Sequence, residues 1–210
     1  MPRMFSYAVT IIVACAFTTS GLAQVDKSRS SVPRDSMISD QTLGISFLRI
    51  GTETVHGGNG YRMLLQSSEG TIRRATAGVK ISSRRFVDLS GSYGGEVYLD
   101  DLKTRSLLKN RVKVDSINLG GLWFSREFWA VYAGMGAWEG VINCYAFHNR
   151  QYYVCSLNAD LMIGKPGEVV DGGRMSTEVL RERVMDILND SREPIIHKFN
   201  DFLSSVQVSN

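Results

Sequence analysis

Histidine and cysteine are scarce in this sequence of 210 residues, which contains three of each. The histidines His56, His148 and His197 lie far apart and form no HxH or HExxH pattern, so we predict no metal site and no bound cofactor. A P-loop and a dinucleotide-binding fingerprint are also missing. These absences disfavour zinc and nucleotide-dependent enzymes and favour a protein that binds without catalysis.

A nucleophile elbow is missing as well, because no serine stands between two glycines at the required spacing. His56 is the remaining catalytic candidate. It begins a His-Gly-Gly segment that is faintly similar to an oxyanion-hole loop, and it would act as a general base with an acid distant in the sequence. An exported hydrolase that uses His56 is therefore an alternative function.

The apolar stretch Tyr7–Phe17 is too short to span a bilayer as a helix, for which about 20 apolar residues are needed. It follows Arg3, and Gly21 and Ala23 then form a small-residue cleavage site. We therefore predict a signal peptide over residues 1–23, cleaved after Ala23, and a periplasmic or secreted location in a bacterium.

Two alternatives remain for this N-terminus. The segment that ends at Cys15 fits a lipoprotein box, in which case Cys15 would be lipidated and the protein would be associated with a membrane. The other alternative is an uncleaved anchor.

Residues 24–40 are rich in serine and charge and are predicted to form a flexible leader. We expect residues 41–210 to form a single globular domain. Nine short apolar or alternating runs separated by glycine, serine and asparagine indicate an antiparallel sheet of about eight or nine strands. Two amphipathic helices are predicted within residues 176–206, the first capped by Ser176 or Thr177 and the second begun by Pro194. The fold class is therefore α+β.

Export removes Cys15 and leaves Cys144 and Cys155, which stand on the two arms of a predicted β-hairpin. A two-residue turn at Asn149 and Arg150 places the two cysteines directly opposite each other. A four-residue loop or a bulge is the alternative, because a hydrogen-bonded pair sets the Cα atoms about 5.5 Å apart, near the upper part of the comfortable range for a disulfide. A structural disulfide is the natural inference in an oxidising compartment. A redox-active or metal-binding dithiol is the alternative.

All three tryptophans fall within residues 122–138, which we read as one strand that is apolar on both faces. Such a strand is typical of a sheet covered on both sides. Alternatively, it is a ligand wall in which Gly134 and Gly136 clear space beside the large rings, or a membrane strand of a small outer-membrane β-barrel. The candidate binding residues are Trp123, Trp129, Tyr132 and Trp138.

Positive charge is concentrated between residues 73 and 113, where ten basic residues accompany four acidic ones, although the whole chain carries only +3. Lys109, Arg111 and Lys113 alternate with valines and are predicted to form one basic row on a strand. Such a row suits an anionic lipid, an acidic glycan or an acidic partner protein. An ordinary solvated face is the alternative, and nucleic acid is not expected because few aromatic residues accompany the charges.

The sequence therefore predicts an exported, non-catalytic binding or assembly protein of the cell envelope. Its ligand would be an apolar or anionic envelope component, or a partner protein. The hydrolase and the small barrel are the alternatives.

Overall fold

The computed structural model describes residues 36–89, 95–101, 106–119, 122–170 and 173–208. The predicted signal peptide, its lipoprotein alternative at Cys15 and most of the predicted leader lie outside these residues. The end of the leader prediction is wrong, because residues 37–40 form the first strand.

Seven antiparallel strands form the main sheet, in the spatial order β3-β4-β5-β11-β10-β9-β8. Their bounds are as follows: β3 Glu53–Gly57, β4 Gly60–Gln66, β5 Arg74–Ser82, β8 Arg111–Leu119, β9 Leu122–Gly134, β10 Ala137–His148 and β11 Gln151–Met162. Short strands complete the fold: β1 Met37–Asp40, β2 Ile45–Leu48 and β14 Gln207–Val208 form one small sheet, β6 Phe86–Leu89 pairs with β7 Gly95–Tyr98, and β12 Val169–Val170 pairs with β13 Gly173–Arg174.

Two helices pack on one side of the main sheet, which we call the helix face. Helix α1 spans Thr177–Asn189, and the Ser176 side chain caps it by accepting a hydrogen bond from the Val179 amide. Helix α2 spans Pro194–Ser205 and starts at proline, which needs no intrahelical donor there. The predicted α+β class, with an antiparallel sheet followed by two helices, is confirmed. No helix among the described residues is long and apolar enough to cross a membrane.

The β6–β7 hairpin covers part of the opposite side, which we call the hairpin face. Val87 and Leu89 of β6 pack there against Trp129, Val131 and Val141. Residues 127–131 of β9 and most of β10 are therefore buried on both sides, which explains why this part of the tryptophan-rich segment has no polar face.

The tryptophan-rich segment is two strands rather than one, so that part of the prediction is wrong. Strand β9 ends at Gly134, and the backbone turns through Gly134, Met135 and Gly136 at positive φ angles of 98°, 53° and 84°. The two glycines therefore serve the turn, where a left-handed backbone favours residues without a side chain. The turn also places Glu139 on β10, next to the strand that carries Glu127, with Glu139 opposite Val131 and Glu127 opposite Asn143.

The β10–β11 hairpin has the predicted register. Asn149 and Arg150 form a two-residue turn with φ values of 48° and 63°, and Cys144 lies directly opposite Cys155. Both cysteines are fully buried on the helix face, and both are free thiols in this structure. A hydrogen-bonded pair of this kind sets the Cα atoms about 5.5 Å apart, near the upper part of the comfortable range for a disulfide.

The oxidation state of this pair can be measured by alkylation. Burial raises the pKa of the Cys144 thiol to about 12 and that of Cys155 well above its ordinary value. Because the thiolate is the reactive form, we expect the reduced, folded protein to resist iodoacetamide at pH 8 and to react at both sites in denaturant. Because the folded state holds the Cys144 proton more tightly than the unfolded chain does, we expect the free energy of unfolding of the reduced protein to fall as the pH rises from 9 towards 12.

Protein recovered from an oxidising compartment should instead remain unmodified in denaturant until a reductant is added. Mass spectrometry distinguishes the two states, and rapid labelling of the folded, reduced protein would contradict the burial of this pair.

Candidate anion-binding site

The predicted aromatic binding residues do not line one wall. Trp129 is fully buried on the hairpin face, whereas Trp138 is buried on the helix face and donates from Nε1 to the Gly164 carbonyl at 3.0 Å. Tyr132 contacts the Trp138 ring and remains 40% exposed, while Trp123 is 69% exposed. Two of the three tryptophans are therefore core residues.

The predicted basic row is also divided. A β-bulge at Val112 places two residues of β8 opposite one of β9, so that Arg111 pairs with Trp129 and Lys113 with Phe128. Arg111 thus lies on the hairpin face and Lys113 on the helix face. Lys109 belongs to a single 3₁₀ turn, Leu108–Asn110, that precedes the strand. The three cations do not share a face, because one extra residue reverses the alternation.

Most basic residues of the 73–113 segment that the structure describes are paired with acids. Arg85 and Arg111 both bind the buried Glu127 carboxylate, the latter at 3.3 Å. The other pairs are Lys80 with Glu96, Arg84 with Asp100 and Asp101, and Lys113 with Asp115. Lys103 and Arg105 lie outside the described residues. Five of the eight basic residues that the structure describes in this segment are therefore neutralised within the fold.

His56 lies beside an acid, Asp40, at 3.8 Å between Nε2 and Oδ2. Asp40 also accepts a hydrogen bond from the Tyr61 hydroxyl at 2.7 Å, which lowers the pKa of the Asp40 carboxyl. Desolvation, assisted by this bond, raises the pKa of Tyr61 to about 12. The other oxygen of Asp40 accepts from the backbone amides of Thr42 and Leu43. These contacts orient Asp40 as a support of the β1–β2 turn.

Two residues of the basic segment, Arg73 and Arg74, open instead onto a cleft of about 420 Å³, and Lys198 of α2 joins them there. Within the described part of the chain, none of these three cations has an acidic partner within 4.0 Å, and no acid lines the cleft. The remaining lining is mostly polar and consists of Ile50, Gly51, Thr52, Gln66, Ser67 and Ser68.

Hydrogen bonds within the loop between β4 and β5 position Arg73. The Ser67 amide donates to the Arg73 carbonyl at 3.1 Å and closes the base of this loop. The Arg73 guanidinium donates through Nη1 to the Ser68 carbonyl, which fixes its side chain against the loop. The Arg73 guanidinium is therefore preoriented, which lowers the entropy lost on binding.

Glu193, the residue before α2, links the loop between β4 and β5 to this helix through hydrogen bonds. Its buried carboxylate accepts hydrogen bonds from the Thr71 and Ile72 amides at 2.7 and 3.2 Å. Gly70 lies against this carboxylate with φ of 78°, and a Cβ atom there would approach the Glu193 Cδ to 2.7 Å. Lys198 lies five residues, about 1.4 helical turns, after Glu193. The hydrogen bonds of Glu193 to the loop therefore also bring Lys198 to the cleft that Arg73 and Arg74 line.

Sequence reasoning included Arg73 and Arg74 in the basic segment and did not connect Lys198 with them. The Arg73-Arg74 pair, which is close in sequence to Ser67 and Ser68, is a sequence signal that could indicate an anion site. The proximity of α2 is evident only in the tertiary structure. In the described ranges, no group of three histidine, cysteine, aspartate or glutamate side chains could hold a metal ion.

No family model matches this sequence, and no curated protein is similar to it. Among solved structures, the chain is similar to the solution structure of cyanobacterial PsbP (CyanoP) from Synechocystis sp. PCC 6803, at 10% identity. The match covers 84% of this chain and 94% of that chain, with a TM-score of 0.35. A likeness of this degree does not determine what this protein binds.

Proposed function

We propose that this protein is exported to the cell envelope and binds an anionic ligand, without catalysis, in the cleft formed by Arg73, Arg74 and Lys198. One observation carries the proposal: three cations from two distant parts of the chain converge on a concave surface that no acid lines among the described residues. Elsewhere the same basic segment meets acids of its own chain.

The chemistry of these side chains suits a phosphate or carboxylate group. Each guanidinium offers a planar set of N–H donors that can grip two oxygens at once, and the lysine ammonium adds a compact charge. A concave cationic surface also raises the local concentration of anions. The envelope provides such ligands as phosphorylated glycolipids, lipid headgroups and acidic glycans, and the predicted signal peptide would deliver the protein to them.

The direct test removes the three charges together. We expect the variant R73A/R74A/K198A to lose detectable binding of inorganic phosphate, measured by an NMR titration of backbone amides. A hydrogen bond to a charged group contributes about 1.5–3 kcal/mol, so each lost arginine should weaken binding roughly tenfold to hundredfold. Binding by the unaltered protein should also weaken as the salt concentration rises.

A matched control is K109A/K165A/R174A, which removes the same number of charges from exposed positions outside the cleft. This variant should bind phosphate as the unaltered protein does. Equal losses in both triple variants would mean that only the net charge matters, and the proposed site would then be wrong.

A further inference from the structure

We infer that the ligand of this cleft is a sugar phosphate: a phosphate monoester attached to a hydroxylated ring. The inference rests on the proposed function and adds the second half of the ligand to it. It is drawn from the size of the cleft, from the uncharged polar side chains in its lining and from the lack of aromatic rings among the described lining residues.

The cleft is larger than a phosphate group requires. Its volume of about 420 Å³ falls in the range of small-molecule sites, which is roughly 300–1,000 Å³. A phosphate ion has only five non-hydrogen atoms and replaces a few waters, each of which takes about 30 Å³ in the liquid. Much of the cleft would therefore remain for a group attached to the phosphate.

The lining contains uncharged donors that the protein itself does not use. Gln66 and Ser68 line the cleft, and neither side chain has a hydrogen-bond partner among the described residues. In contrast, the Thr52 hydroxyl donates to the Leu64 carbonyl and the Ser67 hydroxyl to the Glu69 carbonyl. An amide and a hydroxyl both donate and accept, as the hydroxyl groups of a sugar do.

Other phosphate-bearing molecules fit this lining less well. A nucleobase binds by stacking on aromatic rings, and the described lining contains none. An acyl chain needs an apolar wall, whereas Ile50 is the one large apolar side chain that lines the cleft within the described ranges. A compact hydroxylated ring requires neither an aromatic ring to stack on nor an apolar wall, so it suits this lining.

The experiment compares four soluble probes by calorimetry or NMR titration: inorganic phosphate, glucose 6-phosphate, glucose and phenyl phosphate, a phosphate monoester whose ring has no hydroxyl groups. We expect glucose 6-phosphate to bind at least tenfold more tightly than phosphate, because two neutral hydrogen bonds are added. Phenyl phosphate should bind no more tightly than phosphate, and glucose alone should not bind detectably. Below pH 6 the sugar phosphate should bind more weakly, since a phosphate monoester loses its second negative charge there.

The variant Q66A/S68A separates this inference from the proposed function. It should weaken binding of glucose 6-phosphate at least tenfold while weakening binding of inorganic phosphate far less. Equal affinities for phosphate and glucose 6-phosphate in the unaltered protein, or tighter binding of phenyl phosphate than of glucose 6-phosphate, would overturn the sugar phosphate and leave the anion site intact. Failure of every phosphate probe would overturn both.

A sugar phosphate could be free or part of a lipid headgroup, and a vesicle assay distinguishes these sources. Phosphatidylcholine vesicles with and without lipid A, whose sugars carry phosphate monoesters, would be sedimented with the protein. Retention on lipid A that is lost in R73A/R74A/K198A supports the inference with a lipid source. Binding of glucose 6-phosphate without such retention supports it with a soluble source.

Discussion

Replacing Trp129 with alanine is expected to lower the free energy of unfolding by about 3–5 kcal/mol, the cost of deleting a large buried aromatic side chain. Trp129 is fully buried between the sheet and the β6–β7 hairpin, where it contacts the cluster of Val87, Leu89, Val131 and Val141. The change leaves a cavity in a layer that has no other large aromatic side chain among the described members of that cluster. Urea denaturation followed by far-UV circular dichroism measures the loss as a lower midpoint.

Trp123 provides a matched control, because it is the same residue type in the same strand and is 69% exposed. We expect Trp123→Ala to change stability by no more than about 0.5 kcal/mol. A second variant, Trp129→Phe, should cost much less than Trp129→Ala, since the indole N–H has no hydrogen-bond partner among the described residues. Similar losses for Trp123→Ala and Trp129→Ala would contradict the placement of Trp129 in the core.

Replacing Gly60 with alanine is expected to destabilise the edge of the main sheet by about 1–3 kcal/mol or more, the usual range for overpacking a closed site. Gly60 begins β4 and lies opposite Lys80 of β5. A methyl group there would lie 2.8 Å from the Lys80 Cα and closer still to the Val79 carbonyl oxygen. Because both obstacles are backbone atoms, relief requires β4 and β5 to separate.

Gly57, which pairs with Gly60 across the β3–β4 turn, is the matched control. A Cβ atom built there meets nothing within 4 Å, so Gly57→Ala should leave the denaturation midpoint nearly unchanged. Amide hydrogen exchange should show faster exchange along β4 in Gly60→Ala and not in Gly57→Ala. Equal stability of the two variants would contradict the close approach of β4 to β5.

Local patterns predicted much of the fold. The β10–β11 hairpin followed from apolar arms on either side of a two-residue turn, and its register placed Cys144 opposite Cys155. Both helix starts were also predicted, because Ser176 supplies a capping oxygen and Pro194 suits a first turn. These features depend on residues close together in the chain, where short-range sterics and hydrogen bonding decide the outcome.

The incorrect predictions concern two places where the backbone departs from regular strand pairing, a tight turn and a bulge. Periodicity continued through Gly134, Met135 and Gly136, so the tight turn between β9 and β10 was read as continuous strand. The bulge at Val112 likewise separated Arg111 from Lys113, although their spacing favours one face. A period-two pattern in the sequence does not show where a strand has an extra, unpaired residue. The pairing with the partner strand determines whether that residue forms a bulge.

The sequence by itself determined the α+β class, the capped helices and the hairpin register, because these follow from residue type and short-range spacing. It also contained the basic segment from which an anionic ligand was predicted. Only the tertiary structure decided which cations face acids and which remain for a ligand. Charged groups interact through space, whatever their separation along the chain. The side chains that surround Arg73 and Arg74 depend on where the loop between β4 and β5 meets α2. Lys198 of α2 lies there, although it is more than 120 residues further along the chain.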